Sequence, residues 1–232
     1  MNLRNGFTLI ELLVVISIIS ILAAMSVVGI MAALGDSDKA QCKMMIEDLK
    51  AALESYQMNN GGEYPPTMFE RINQDIASDN MTNSGIETCL LLLRSKGFPM
   101  ESYQDRLGNL DADENQPAYE FFGFNVTRYE LFELLDPWGN PFVYIPAPEY
   151  DDEFEYSTAE GETVIVRARK MAMMQEFPQG YMIWSFGPDG INQDGKGDDI
   201  TSWAKSKEDM KDPAEEGLDD DDDDDDGDII DD

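Results

Sequence analysis

The 232-residue sequence predicts an α+β chain: a long N-terminal α-helix, half transmembrane and half amphipathic, packed on a head made of a small helix and an antiparallel β-sheet, with a disordered acidic tail. Three observations carry this. Leu12 to Leu34 are apolar except for Ser17, Ser20, Ser26 and Gly29, and helical periodicity continues beyond them. Three short segments rich in β-branched and aromatic residues lie in the second half. The chain closes on a tail built around eight consecutive aspartates, Asp219 to Asp226, which repel each other and offer nothing to bury.

The leader, Met1 to Gly6, is polar with one positive side chain, Arg4, which favours a cytoplasmic N-terminus and export of the residues beyond the apolar run. At about 1.5 Å per residue the Leu12–Leu34 run would span roughly 35 Å, against about 30 Å for a bilayer core. A secretory signal has a shorter apolar region of about 7–15 residues. Glu11 stands at the mouth of this run, where a carboxylate facing lipid costs on the order of 2–3 kcal/mol or more. Either it sits among headgroups and water, or a positive charge meets it. Cleavage after Gly6 would supply one, the new α-amino group of Phe7, presented by a neighbouring parallel helix.

Past the run, Cys42, Met45, Leu49, Ala52, Leu53 and Tyr56 recur at helical spacing, with Lys39, Lys43, Glu47, Lys50 and Glu54 on other faces. One helix is therefore expected from Phe7 to Asn60, ended by Asn59-Asn60-Gly61-Gly62 and kept from resuming by Pro65-Pro66. A second is signalled by the capping-box spacing of Ser84 and Glu87, with Ile86, Cys89, Leu90 and Leu93 on one face and Gly97 as its stop. Strands are expected at Phe142–Ile145, Thr163–Val166 and Tyr181–Ser185. Within the poorly patterned, acidic stretch 101–135, Glu130 to Leu135 reads as a short helix.

Composition removes several chemistries. The chain has no histidine and two cysteines, so a Ser-His-Asp triad, a Cys-His pair, a His-ligated zinc and a four-thiolate site are all excluded. Any metal must be held by oxygen. A net charge of −32 repels phosphate backbones, and no nucleic-acid partner is expected. Residues 205–232 contribute 16 acids against three lysines.

Gly6-Phe7-Thr8-Leu9-Ile10-Glu11-Leu12-Leu13-Val14-Val15 resembles the processing and assembly motif of type IV pilins and type II secretion pseudopilins. The resemblance implies that a prepilin peptidase cuts between Gly6 and Phe7 and methylates the new N-terminal phenylalanine. It further implies that Glu11 pairs with the Phe7 amine of an adjacent subunit. Asp136-Pro137-Trp138-Gly139-Asn140-Pro141 is a dense turn by composition alone, and it is similar to the segment that precedes the first head strand of major pseudopilins.

The loop Ser185 to Ile200 holds four aspartates, an asparagine and several glycines. Ca²⁺ takes six to eight oxygens at about 2.3–2.6 Å, and clustered carboxylates with carbonyls on a flexible loop suit it. An EF-hand alignment fails, because Gly190 and Thr201 fall where acids are required. The loop resembles the calcium loop of the major pseudopilin head, which implies side-chain ligands at Asp189, Asp198 and Asp199 and a carbonyl ligand at Phe186. Asp194 is then a substitute ligand or a spectator. Bound calcium would be structural, neutralising carboxylates that could not otherwise be held together.

Cys42 and Cys89 lie on helix faces that should meet, so a disulfide in an oxidising compartment and two buried apolar thiols are both compatible with the pattern. Adjacent carboxylates in one glycine-rich loop make a poor acid/base pair, and no enzyme activity is expected. The expected organisation is a cleaved leader (1–6), a transmembrane assembly helix (7–35), a periplasmic head (36–204) and the acidic tail (205–232). The resemblance implies a single-pass bacterial inner-membrane protein that polymerises with itself. Its partners would be prepilin peptidase, an inner-membrane assembly platform, minor pseudopilins and lipid. A type IV or minor pilin for adhesion, motility or DNA uptake, and a membrane-anchored calcium module that never polymerises, are the alternatives.

Overall fold

The computed structural model describes residues 9–72, 80–94, 98–112, 132–169 and 180–205, with the backbone of four two-residue strand segments between 116 and 129. The side chains of residues 24–34 are not among those described. The leader, Gly6, Phe7 and the acidic tail beyond Lys205 lie outside the described residues.

Helix α1 runs from Leu9 to Asn59 without interruption, as the continuous periodicity predicts. It ends where expected: Gly61 and Gly62 take φ of 73° and 92°, and the Gly62 N–H returns to the Gln57 carbonyl at 3.0 Å. Among its described side chains, those that meet the head lie in its second half. There Cys42, Met45, Ile46, Leu49, Ala52 and Leu53 are buried along one face, while Lys39, Lys43, Glu47 and Glu54 face outward.

Helix α2 (Ser84–Leu93) is buried almost all round, wedged between α1 and the sheet. The capping box is not formed. Asn83 precedes the helix in a left-handed conformation (φ 58°) and its side chain makes no cap hydrogen bond. Its amide is spent on tertiary contacts, donating to Glu133 at 2.7 Å and accepting from the Ser157 N–H at 2.9 Å. The helix stops at Leu93 with Arg94 as its cap; Gly97 lies outside the described residues.

The strands are β1 (Leu107–Gly108), β2 (Gln116–Pro117), β3 (Glu120–Phe121), β4 (Phe124–Asn125), β5 (Arg128–Tyr129), β6 (Glu133–Leu134), β7 (Val143–Pro146), β8 (Glu153–Ser157), β9 (Thr163–Arg167), β10 (Tyr181–Ser185) and β11 (Ile200–Thr201). The central sheet has the order β11-β10-β7, all antiparallel, with Trp184 opposite Val143 and Ser185 opposite Ile200. β8 and β9 form a separate hairpin in which Phe154 faces Val166. The short helix expected at Glu130–Leu135 is instead strand where described. Glu133–Leu134 pairs with Leu107–Gly108, and Leu135 bridges to Pro141. Tertiary pairing overrides a weak local helical preference there.

The core lies between α1, α2 and the inner face of the central sheet, with Trp184, Tyr144, Tyr156, Phe142 and Phe186 as its largest side chains. Burying side chains of this size contributes on the order of 2–3 kcal/mol each before entropy is subtracted. Glu149 is also buried, receiving hydrogen bonds from the Thr67 N–H and hydroxyl and an ion pair from Arg71 at 3.1 Å. That contact ties the chain just after α1 to the end of β7.

Candidate functional site

At the N-terminal end, Glu11 is the third described residue of α1. From Leu9 to Leu22 the apolar side chains are exposed on every face, from 82% at Leu9 to 43% at Val15. A helix apolar all round must be covered by lipid or by other helices. Ser17 and Ser20 suit such surroundings: each hydroxyl donates to the carbonyl four residues back, Leu13 and Ile16, at 2.8 Å. Among the described residues no helix is long and apolar enough to cross a membrane. The expected span, Leu12–Leu34, is helical throughout, but its described side chains end at Ala23.

At the opposite end of the chain, the loop after β10 gathers the predicted acids. Phe186 is fully buried, which leaves its backbone carbonyl as what it could offer a metal. The Asp189 N–H donates to Asp198 Oδ2 at 3.2 Å, which draws these two residues together. Asp199 is 2% exposed and its Oδ2 accepts from the Gly195 and Gln193 N–H groups at 2.7 and 3.2 Å. The other oxygens, Asp198 Oδ1 and Asp199 Oδ1, are buried and have no hydrogen-bond donor. Burial pushes the Asp199 carboxyl up to about 8, against the pull of its two backbone donors. A carboxylate held so would be ionised at neutral pH by a bound cation.

Gly187 makes the cradle possible. Its φ is +71°, and a Cβ there would stand 2.6 Å from the Asp198 carbonyl oxygen. Asp194 is placed differently from the others: its Oδ1 accepts from the Arg167 N–H at 3.3 Å and the Asn192 amide at 2.9 Å, joining the loop to β9.

Sequence reasoning passed over the residue that joins the two motifs. Asp136 is buried and its Oδ1 accepts from the Trp138 and Asn140 N–H groups at 2.9 and 3.0 Å, an Asx-type turn that explains the proline-glycine segment. Its Oδ2 accepts from the Ser185 hydroxyl at 2.6 Å, and Ser185 Oγ in turn accepts from the Gly187 N–H at 3.0 Å. Turn and acidic loop are thus one bonded unit. An aspartate opening a tight turn and a serine opening the loop were the available signals, but nothing in their spacing says that they meet.

A second acidic group is also invisible in sequence. Glu87 on α2, Asp111 and Glu133 on β6 each bring a carboxylate oxygen within 4.8 Å of the others, a spacing at which a cation can be shared. Among the described residues this is the one trio of acids that close. The loop aspartates do not converge as tightly.

The Cys42–Cys89 disulfide is not formed; both are buried free thiols. They face different surroundings. Cys42 lies against Ser185 near Asp136, and burial pushes its thiol up to about 12. Cys89 is fully buried beside Tyr56, Tyr144 and Tyr156, and its thiol is raised well above the usual range.

Residues 1–27 match the family model of the prokaryotic N-terminal methylation motif. The chain therefore carries a type IV pilin-like signal, the substrate of a prepilin peptidase. Comparison with curated proteins and with solved structures finds no match.

Proposed function

We propose that this chain is the major pseudopilin of a type II secretion system, a structural subunit and not an enzyme. In this reading it is cut between Gly6 and Phe7, methylated at Phe7 and polymerised from the inner membrane, with its head in the periplasm, to drive protein export. The observation that favours a pseudopilin over an adhesive pilin is the bonded unit of Asp136, Ser185 and the acidic loop. The methylation motif is common to both.

Calcium is the cofactor proposed for that loop. Asp198 Oδ1 and Asp199 Oδ1 are buried acceptors awaiting a positive partner, Asp189 would close on the pair, and the Phe186 carbonyl would complete the inner side. In this reading Asp194, whose Oδ1 accepts from the Arg167 N–H of β9, is a spectator.

The test is thermal unfolding of the full chain in detergent, with calcium and with chelator, alongside Asp198→Ala/Asp199→Ala. A calcium-dependent rise in melting temperature that disappears in the double variant supports the reading. A rise that persists in the variant places the ion at the tail or at the Glu87 group, and no rise removes the calcium-bound head altogether. Co-expression with a prepilin peptidase, read by intact mass, reports the cut after Gly6 and the added methyl.

A further inference from the structure

A cleft of about 480 Å³ opens on the head between three surface elements: the Asp136–Pro141 turn, the tip of the β8–β9 hairpin and the start of the acidic loop. Hydrogen bonds join its walls. Asn140 Oδ1 accepts from the Ala159 N–H at 3.0 Å, joining turn to hairpin, and the Asn192 amide donates to the Ile165 carbonyl at 3.2 Å, joining loop to hairpin. The lining mixes Trp138, Ile165 and Ile191 with the carboxylates of Glu160, Glu162 and Asp189, and no basic side chain contributes among the described residues. Ile165 and Ile191 are 40% and 60% exposed, the only large aliphatics other than methionine exposed among the described side chains beyond Leu22. Apolar walls with an acidic rim and a tryptophan fit the stem and head of a lysine or arginine.

The chain itself carries the complement. Helix α1 has three cations among its described residues, and Lys50 is paired with Glu47 at 2.7 Å. Lys39 and Lys43, one turn apart, share a stripe and are exposed. Gln41 and Cys42, which lie between these lysines in sequence, are joined to the turn that forms one wall of the cleft. Arg106 bridges Gln41 on α1 to the Pro137 carbonyl at 3.3 Å each, and Cys42 touches Ser185 beside Asp136. In copies standing side by side with parallel α1 helices, a basic stripe and an acidic cleft near the same turn offer complementary charge.

We propose that this cleft is the socket for the Lys39–Lys43 stripe of a second copy of the same chain. The inference rests on the polymer reading above and adds the head contact that sets one subunit against the next. A chain of net charge −32 cannot associate by its average field, so it needs local contacts of opposite sign.

The experiment uses the full chain in membranes with its processing machinery. Glu162→Cys/Lys43→Cys should give a ladder of disulfide-linked oligomers, against silent native thiols, since Cys42 and Cys89 are buried. Ile16→Cys, on the exposed apolar half of α1, reports helix packing independently. Oligomers from Ile16→Cys with none from Glu162→Cys/Lys43→Cys overturn the socket alone, and silence of both overturns polymerisation and the socket together. As a second arm, Glu160→Lys/Glu162→Lys should lower filament yield by about tenfold or more. Adding Lys39→Glu/Lys43→Glu should restore it. Failure to restore, in variants whose heads melt like wild type, counts against the pairing.

Discussion

The two halves of α1 share one backbone conformation and have opposite fates. From Leu9 to Leu22 the side chains are apolar on every face and exposed, whereas from Cys42 to Leu53 they are apolar on one face and that face is sealed by the head. Helix propensity does not distinguish them; the number of apolar faces does. A helix with a single apolar stripe completes a monomer, while one with no polar side is unfinished until lipid or neighbouring subunits surround it. The same helix is therefore a core element at one end and an assembly element at the other.

Changes at the two ends should separate in their readouts. Glu11→Ala should abolish filaments while leaving the head's melting temperature and membrane insertion unchanged; filaments at wild-type yield would break the idea that Glu11 sets the register. Leu49→Ala, in the sealed half, should cost the head about 2–5 kcal/mol by chemical denaturation. A loss as small as that of a surface substitution would mean that α1 is not part of the head's core. Asp136→Ala leaves the Ser185 hydroxyl and two turn N–H groups without their acceptor. It should cost about 1–3 kcal/mol and lower calcium affinity without altering any predicted ligand. Ile16→Ala should change head stability by less than about 0.5 kcal/mol, sharpening the contrast with Leu49.

A pH series adds a smaller effect. In chelator, Asp199 holds its proton more tightly in the folded head, at about 8, than its ordinary value of 3.8 allows. The folded state then binds more protons than the unfolded one between these values. Its contribution is complete below about 4 and declines as pH rises toward 8. Melting temperature in chelator should fall across that window, and saturating calcium should flatten the fall. Asp199→Asn removes the slope.

Much of the architecture was legible because its signals are local. The length of α1 follows from unbroken periodicity into Asn59-Asn60-Gly61-Gly62, and β7, β9 and β10 follow from short runs of branched and aromatic residues. The misses share a cause. Ser84 and Glu87 have capping-box spacing, yet the Asn83 amide was needed by Glu133 and Ser157, and Glu87 was drawn in beside Asp111 and Glu133. Glu133 and Leu134 read as helix until Leu107 and Gly108 offered them a strand partner. For Cys42 and Cys89 the sequence left pairing and burial as thiols both open; packing turns one toward Ser185 and the other toward a cluster of tyrosines.

By itself the sequence determined the long helix, its change from an all-apolar to a one-sided surface, the pilin-like processing signal and the supply of aspartates near the C-terminus. Each is written in contiguous residues whose spacing or composition acts through local physics. Only the tertiary structure decided that Asp136 reaches Ser185 across 49 positions, that Asp198 and Asp199 each turn one oxygen into a buried site without a donor, and that hairpin, turn and loop enclose an acidic cleft. Such juxtapositions depend on how the chain crosses itself, and burial then sets their chemistry, because a carboxylate withdrawn from water must find a donor, a proton or a cation.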